Sequence, residues 1–239
     1  MFSRKRGVPR HVRPDDAPRP AALVQSMGGL PPAPDFGPWD SRQAPEGVQR
    51  LDLGSLLIPA IDGVEVRVQA NPDGGVEQIV LVHENSALQL NVFAAPRSEG
   101  IWDEVRDEIA ATIKTDGVPA HEFDGPWGVE LAARVTTPDG PADVRFVGVN
   151  GPRWLLRALF QGPAAADPRH EGVLGECLRG VVVVRDDEAR PVREPLPLRL
   201  PQEMAAAAEE AHAGHDHSHE GHDHSHDGHD HGPNGRHIH

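Results

Sequence analysis

Apolar and polar residues alternate in three successive segments of this chain, and this period of two constrains the fold more than any other feature. The segments are 64–69 (VEVRVQ), 76–83 (VEQIVLVH) and 87–95 (ALQLNVFAA). The first two are joined by residues 71–75, where an Asp-Gly pair supplies the positive φ that a tight hairpin needs. The pattern predicts a meander of three strands, each with one buried face.

The period then changes to that of a helix. Between Ser98 and Gly117 the apolar residues fall four apart, at Ile101, Val105, Ile109 and Ile113. That spacing places them on one face of a helix. Ser98 is the predicted N-cap, and Gly117 is predicted to end the helix in a left-handed conformation.

Strand patterns resume after this helix, over 118–123, 127–136, 142–150 and 153–162, bounded by Gly-Pro and Asp-Gly turns. A second, weaker helix is predicted over 162–180 with Asp167 as its cap, followed by a buried strand at 181–184 and an extended segment over 191–201. The predicted fold class is α+β: a mostly antiparallel sheet of about seven strands packed against one strong helix and one weaker one.

Proline and glycine, 24 and 25 residues in total, are concentrated toward the ends of the chain. We predict a disordered, basic and Pro-rich arm over 1–47, because this composition cannot bury enough apolar surface to offset the entropy of ordering. Phe36 and Trp39 are candidates to anchor the arm. A single domain is predicted over 48–201, a short helix over 202–212 and a disordered His-rich tail over 213–239.

The formal charge of −14 is unevenly distributed. Residues 1–20 carry +4 and residues 202–239 carry −7, which leaves −11 for the middle of the chain. An acidic middle argues against a nucleic-acid-binding core, because phosphate groups repel it. The basic start can serve as a solubilising arm or make a weak, salt-sensitive contact with an anionic partner, and both interpretations stay open.

The cellular compartment is inferred from the cysteine count and the apolar runs. The single cysteine, Cys177, permits no internal disulfide, which favours a reducing compartment. No apolar segment follows the basic start as in a secretory signal, and no apolar run is long enough to span a bilayer. We therefore expect a cytoplasmic protein without a membrane span.

Several long motifs resemble one actinobacterial family, catalogued as domain of unknown function 3710. They include LDLGSLLIP, SALQLNVFAAPRSEGIWDEVRDEIA, GPWGVEL, VGVNGPRWLLRALFQG and VVVVRDDEARPVREPLPLRLP, and the resemblance covers about 37–201. It implies one compact domain, a variable charged N-terminal arm and no assigned activity or catalytic residues. Relatives encoded near a dUTPase and a small OB-fold protein imply an association with nucleotide or nucleic-acid housekeeping. The His-rich tail lies outside this resemblance.

The predicted core shows no catalytic constellation. His83, His121 and His170 have no carboxylate or nucleophile at a spacing typical of a triad or a metal pair. Cys177 falls on the apolar face of a predicted helix, as a small core residue does. The acidic run 103–108 is predicted to be a solvated helix face. We expect no enzymatic activity and no required cofactor.

The tail carries the only clear chemical signal, with eight histidines within residues 215–231. HDHSHEG, HDHSHDG and HDHG begin at positions 215, 222 and 229, a period of seven residues. Glycine recurs within the repeat, which disfavours a helix. The predicted metal ligands are His215, His217, His219, His222, His224, His226, His229 and His231.

Neutral imidazole is a good ligand for divalent transition metals such as Zn²⁺ and Ni²⁺. Because metal must order the chain, we expect roughly micromolar affinity and exchangeable sites, suited to buffering or delivery. Affinity should fall as pH drops through about 6.5. A purification tag, a passive solubilising repeat, and a charge switch that docks the protonated tail onto the acidic core are the alternatives for the tail. For the whole chain, the main alternative is an interaction or assembly module with an unknown protein partner, and the second is an enzyme that uses a cleft in the core.

Overall fold

A computed structural model describes residues 36–70, 75–138 and 140–201 of the protein. Several predictions fall outside the described residues: most of the arm, the turn at 71–74, the short helix over 202–212 and the His-rich tail. None of the described helices is long and apolar enough to cross a membrane.

Strands dominate the described chain, and the long helix interrupts them once. The elements in chain order are β1 (Trp39–Asp40), β2 (Arg50–Asp52), β3 (Leu56–Pro59), β4 (Glu65–Ala70), β5 (Val76–His83), β6 (Ser86–Ala94), α1 (Trp102–Thr115), β7 (Ala120–Gly125), β8 (Gly128–Thr137), β9 (Gly140–Gly151), β10 (Trp154–Gln161), α2 (Pro163–Ala166), a 3₁₀ turn (Pro168–His170), α3 (Gly172–Gly180) and β11 (Val182–Val183).

Seven of these strands form one antiparallel sheet in the order β4-β5-β6-β10-β9-β8-β7. Two meanders, β4–β6 and β7–β10, meet where β10 pairs with β6 along its whole length, from Trp154 opposite Ala94 to Gln161 opposite Ala87. The α+β prediction is confirmed. The apolar run at 181–184 does form a buried strand, but β11 belongs to a second sheet, of order β1-β11-β3-β2.

Alternation along β10 shows how the large sheet is buried on both faces. Trp154, Leu156 and Phe160 belong to a core shared with β3, α3 and the second sheet. Leu155, between them, packs with Trp102 of α1 on the opposite face. The helix α1 lies over β7, β8 and β9, where its Ile113 joins a smaller core.

The helix α1 starts later than predicted, and Ser98 does not cap it. The N-cap residue is Ile101, which makes no side-chain capping bond. Asn150 Oδ1, from the end of β9, accepts from the N–H groups of Ile101 at 3.0 Å and Trp102 at 3.2 Å. The Trp102 ring lies against Gly148, which fixes where the helix meets the sheet. Gly117 ends the helix region at φ +77°, as predicted.

The weaker helix is divided into α2, the 3₁₀ turn and α3. Asp167 interrupts it because a residue before proline disfavours helical backbone, and its φ of −146° is extended. The Asp167 side chain accepts from the Arg169 N–H, so it caps the 3₁₀ turn instead of a long helix. Leu174, Cys177 and Leu178 are buried on one face of α3, as predicted.

The folded part extends beyond the predicted start at residue 48, because β1 pairs in parallel with β11. Trp154 Nε1 donates to the buried carboxylate of Asp40 at 3.1 Å, which ties this segment to the core. At the other end, the segment predicted to be extended over 191–201 begins with a turn, in which the Glu194 N–H donates to Pro191 O and Arg193 has a φ of +71°. From Pro195 onward it is extended, with bridges to neighbouring strands at Pro195 and Leu198. The Leu196 N–H donates to Val92 O at 2.9 Å, and the Arg199 N–H donates to Leu53 O at 3.0 Å.

Candidate functional site

The eight predicted metal ligands lie outside the described residues, so the structure places none of them. Of the core histidines, His121 and His170 are exposed and His83 is half-buried, with its Nδ1 3.0 Å from Gly63 O. Within residues 36–70, 75–138 and 140–201, no three His, Cys, Asp or Glu side chains are grouped so that they could hold a metal ion.

The most unusual chemistry of the described domain is a group of charges in its interior. We call Glu130, Arg145 and Glu171 the buried ionic cluster, with exposed fractions of 0%, 0% and 5%. Arg145 Nη1 donates to Glu130 Oε2, and Nη2 donates to Glu171 Oε1 at 2.8 Å. The guanidinium also donates to Ala164 O, from Nη2 at 2.8 Å. One arginine therefore links β8, β9, α2 and the start of α3.

The strand register explains how the three charges meet. Arg145 of β9 lies opposite Ala132 of β8, so Glu130 is its diagonal neighbour on the same sheet face. Glu171 reaches the same point from the residue immediately before α3. A Cβ on Gly125 would lie 2.1 Å from Glu130 Oε1, so glycine there leaves room for the carboxylate.

Trp127, in the turn between β7 and β8, covers the cluster. Its N–H donates to Glu130 Oε1 at 2.9 Å, and its Nε1 donates to Glu171 Oε1 at 3.1 Å. The Arg179 guanidinium lies 5.0 Å from the Trp127 ring centroid and 3.9 Å from Glu171 Oε2. Phe36 meets the same ring edge-on, with centroids 6.3 Å apart.

Burial and pairing act in opposite directions on the Glu130 carboxyl. Burial raises its pKa, while the N–H of Trp127 and the guanidinium of Arg145 act to lower it. The pKa of Glu130 remains above its ordinary value. Because the hydrogen bonds of this cluster are satisfied internally, its chemistry suits anchoring of the helices to the sheet better than proton transfer to a ligand.

A groove of about 450 Å³ opens on the sheet face beside α2. Small or apolar side chains line much of it, among them Phe123, Ala132 and Ala166. At its rim, Arg134 Nε lies 4.0 Å from Asp143 Oδ1. This arrangement can accept an apolar group, and its polar groups do not form a nucleophile, base and orienting-group set.

Sequence reasoning did not identify the buried ionic cluster. A signal was present in the alternation of β9. Arg145 lies at an even spacing from Val147 and Val149, so its side chain is on the face that packs into the main core.

The structure agrees with the predictions for Cys177 and for the acidic run 103–108. Cys177 is fully buried, and burial raises the pKa of its thiol to about 11, with Glu176 adding to the shift. In the acidic run, Arg193 pairs with Glu104 and Glu108 on the outside of α1.

Two comparisons with known proteins bear on identity. No curated protein matches the chain at a significant level. A family model whose description is "Protein of unknown function (DUF3710)" matches residues 37–207, which includes both sheets, the helices α1 to α3 and the buried ionic cluster. The match confirms the resemblance found in the sequence, and the chain belongs to this family.

Proposed function

We propose that the His-rich tail binds divalent transition metal ions and that the chain buffers or delivers them. The observation that carries this proposal is the seven-residue repeat, which places eight histidines within residues 215–231. In an extended chain, side chains two residues apart lie on the same side, so His215, His217 and His219 can approach one ion together. The recurring glycines allow the chain to close around it at low entropic cost.

The residues between the histidines support the same chemistry. Asp216, Asp223 and Asp230 follow the first histidine of each repeat and supply oxygen ligands or attract cations. The tail contains no cysteine, so it should bind imidazole-preferring ions such as Zn²⁺ and Ni²⁺ better than thiolate-preferring Cu(I). Near-equivalent ligand sets along the repeat favour several exchangeable ions over one fixed site, which suits storage more than catalysis.

Calorimetry on two chains tests the proposal. Zn²⁺ and Ni²⁺ are titrated into the full chain and into a chain ending at residue 207, which keeps the whole family match and removes the repeat. We expect roughly micromolar binding of more than one ion by the full chain and none by the shortened one. Equal binding by both chains would move the site into the folded domain, and absence of binding by both would contradict the proposal.

The second candidate function is an interaction or assembly module with a passive, solubilising tail, linked through its family to nucleotide or nucleic-acid housekeeping. The groove beside α2 favours this candidate, because it is lined largely by small and apolar side chains and lacks a convergent catalytic set. That the domain has no catalytic activity is part of both proposals.

A further inference from the structure

Among the described residues, the large sheet ends in a strand whose outer edge has no pairing partner. β7 is the last strand of the seven, and it pairs with β8 from Ala120 opposite Ala133 to Gly125 opposite Gly128. Across the described part of the chain, no other backbone group bonds to β7. An open edge presents a row of N–H and C=O groups that another strand can satisfy.

The opposite edge of the sheet is protected and β7 is not. β4 carries a register shift between Gln69 and Ala70, and Arg67 pairs with Glu65 on its exposed face. A bulge twists an edge away from further pairing. β7 is regular over its six residues, and prolines at 119 and 126 limit a pairing strand to this length.

The two faces of β7 differ in charge. Glu122 and Asp124 point to the face that carries α1, since Glu122 Oε1 accepts from Arg106 Nε at 2.7 Å. Arg106 also pairs with Asp103 at 2.6 Å, so two carboxylates contact this arginine, and Asp124 follows Glu122 on the same face of β7. The opposite face of β7 carries His121 and Phe123, which line the groove.

This pattern selects the chemistry of a partner strand. In an antiparallel pair, same-face neighbours lie close together, so opposite charges stabilise and like charges destabilise the pairing. A second copy of β7 would bring another Glu122 and another Asp124 to the same acidic face, which opposes self-pairing. A strand with basic residues on that face and apolar residues on the other is complementary to β7.

We propose that β7 is a docking edge for an extended peptide segment of another protein, with basic and apolar residues in alternation. Its backbone continues the sheet beyond β7, its basic side chains lie beside Glu122 and Asp124, and its apolar side chains lie beside Phe123. The inference specifies the partner for the interaction-module candidate, on which it rests, and is independent of metal binding by the tail.

The test uses the full chain at pH 7.5, with EDTA present to keep metal off the tail. The probe is a six-residue acetylated and amidated peptide that alternates lysine and valine, and the control peptide has glutamate in place of lysine. Hydrogen–deuterium exchange reports the site, and fluorescence anisotropy of a labelled peptide reports the affinity. We expect the lysine peptide to slow exchange over residues 120–125, and the glutamate peptide to leave it unchanged.

Two matched double variants distinguish binding of the lysine peptide at β7 from its general attraction to an acidic protein. The double variant Glu122→Gln with Asp124→Asn should weaken binding of the lysine peptide about fivefold, because two cross-strand charge pairs are lost. Glu46→Gln with Asp62→Asn removes the same charge at exposed positions elsewhere and should leave affinity within about twofold.

Three results with the lysine peptide would overturn the inference. They are no binding of the lysine peptide, binding without slowed exchange over residues 120–125, and equal weakening by the two double variants. Slow exchange of β7 in a peptide-free dimer would also overturn it in favour of a second copy. None of these results would affect the calorimetric test of the tail.

Discussion

At the scale of single residues, Arg145 is the least expected feature of the domain. Alternation along β9 already places it on the face that packs into the main core, but its partners could not be predicted from the sequence. Glu130 and Glu171 lie 15 and 26 residues away, and only the β8–β9 register and the position of α3 bring them together. Local patterns carry no information about such contacts.

Arg145→Met should destabilise the domain by about 3–5 kcal/mol, because it leaves two buried carboxylates without their shared cation. Urea unfolding of the variant and the parent chain measures this difference. Arg134→Met is the matched control on the same sheet face, since Arg134 is exposed, and its effect should stay within about 0.5 kcal/mol. A loss of similar size in both variants would contradict an anchoring role for the cluster.

The loss of folding stability in Arg145→Met should also depend on pH. Burial already raises the pKa of Glu130, and removal of Arg145 takes away a group that lowers it. A carboxyl with a raised pKa in the folded state binds its proton more tightly there than in the unfolded chain. It therefore favours folding at low pH, and this contribution is lost as pH rises through the folded-state pKa. The destabilisation should shrink between pH 7 and pH 5, whereas a constant difference would contradict this account.

At the scale of elements, the sequence predicts helices and strands whose pattern reflects their own burial. It does not predict contacts that are made by residues distant in the chain. The four-residue spacing in α1 and the alternation in β5 and β6 are confirmed because each pattern reflects burial of its own segment. The predicted cap of α1, Ser98, was wrong because the acceptor at this helix start is Asn150, which lies in a strand 49 residues beyond Ile101. The long second helix was wrong because Pro168 restricts Asp167 to extended backbone.

Asn150→Ala should cost about 1 kcal/mol, because two N–H groups at the start of α1 lose their acceptor. Ser98→Ala, at the position that the sequence favoured, should change the free energy of unfolding by less than about 0.5 kcal/mol. Chemical denaturation of both variants distinguishes the two sites. If Ser98→Ala were the more damaging substitution, the capping arrangement would be incorrect.

At the scale of the whole molecule, fold class could be predicted and sheet partition could not. Alternating segments and one strong helix are sufficient for an antiparallel α+β domain. The pairing of β6 with β10, and the separate sheet that joins β1 to β11, depend on contacts between distant segments. The groove and the open edge of β7 follow from this arrangement, so neither could be predicted from local pattern. The prediction for the tail depends on side-chain chemistry alone and stays a prediction.

The measurement that tests the central claim most directly keeps the chain length constant. The eight histidines from His215 to His231 are replaced by glutamine, which preserves the net charge at neutral pH, and Zn²⁺ binding to both chains is measured by calorimetry at pH 7.5. The parent chain should bind more than one ion with roughly micromolar affinity, and the substituted chain should bind none. Equal binding by the two chains would contradict the claim that these histidines are the metal ligands.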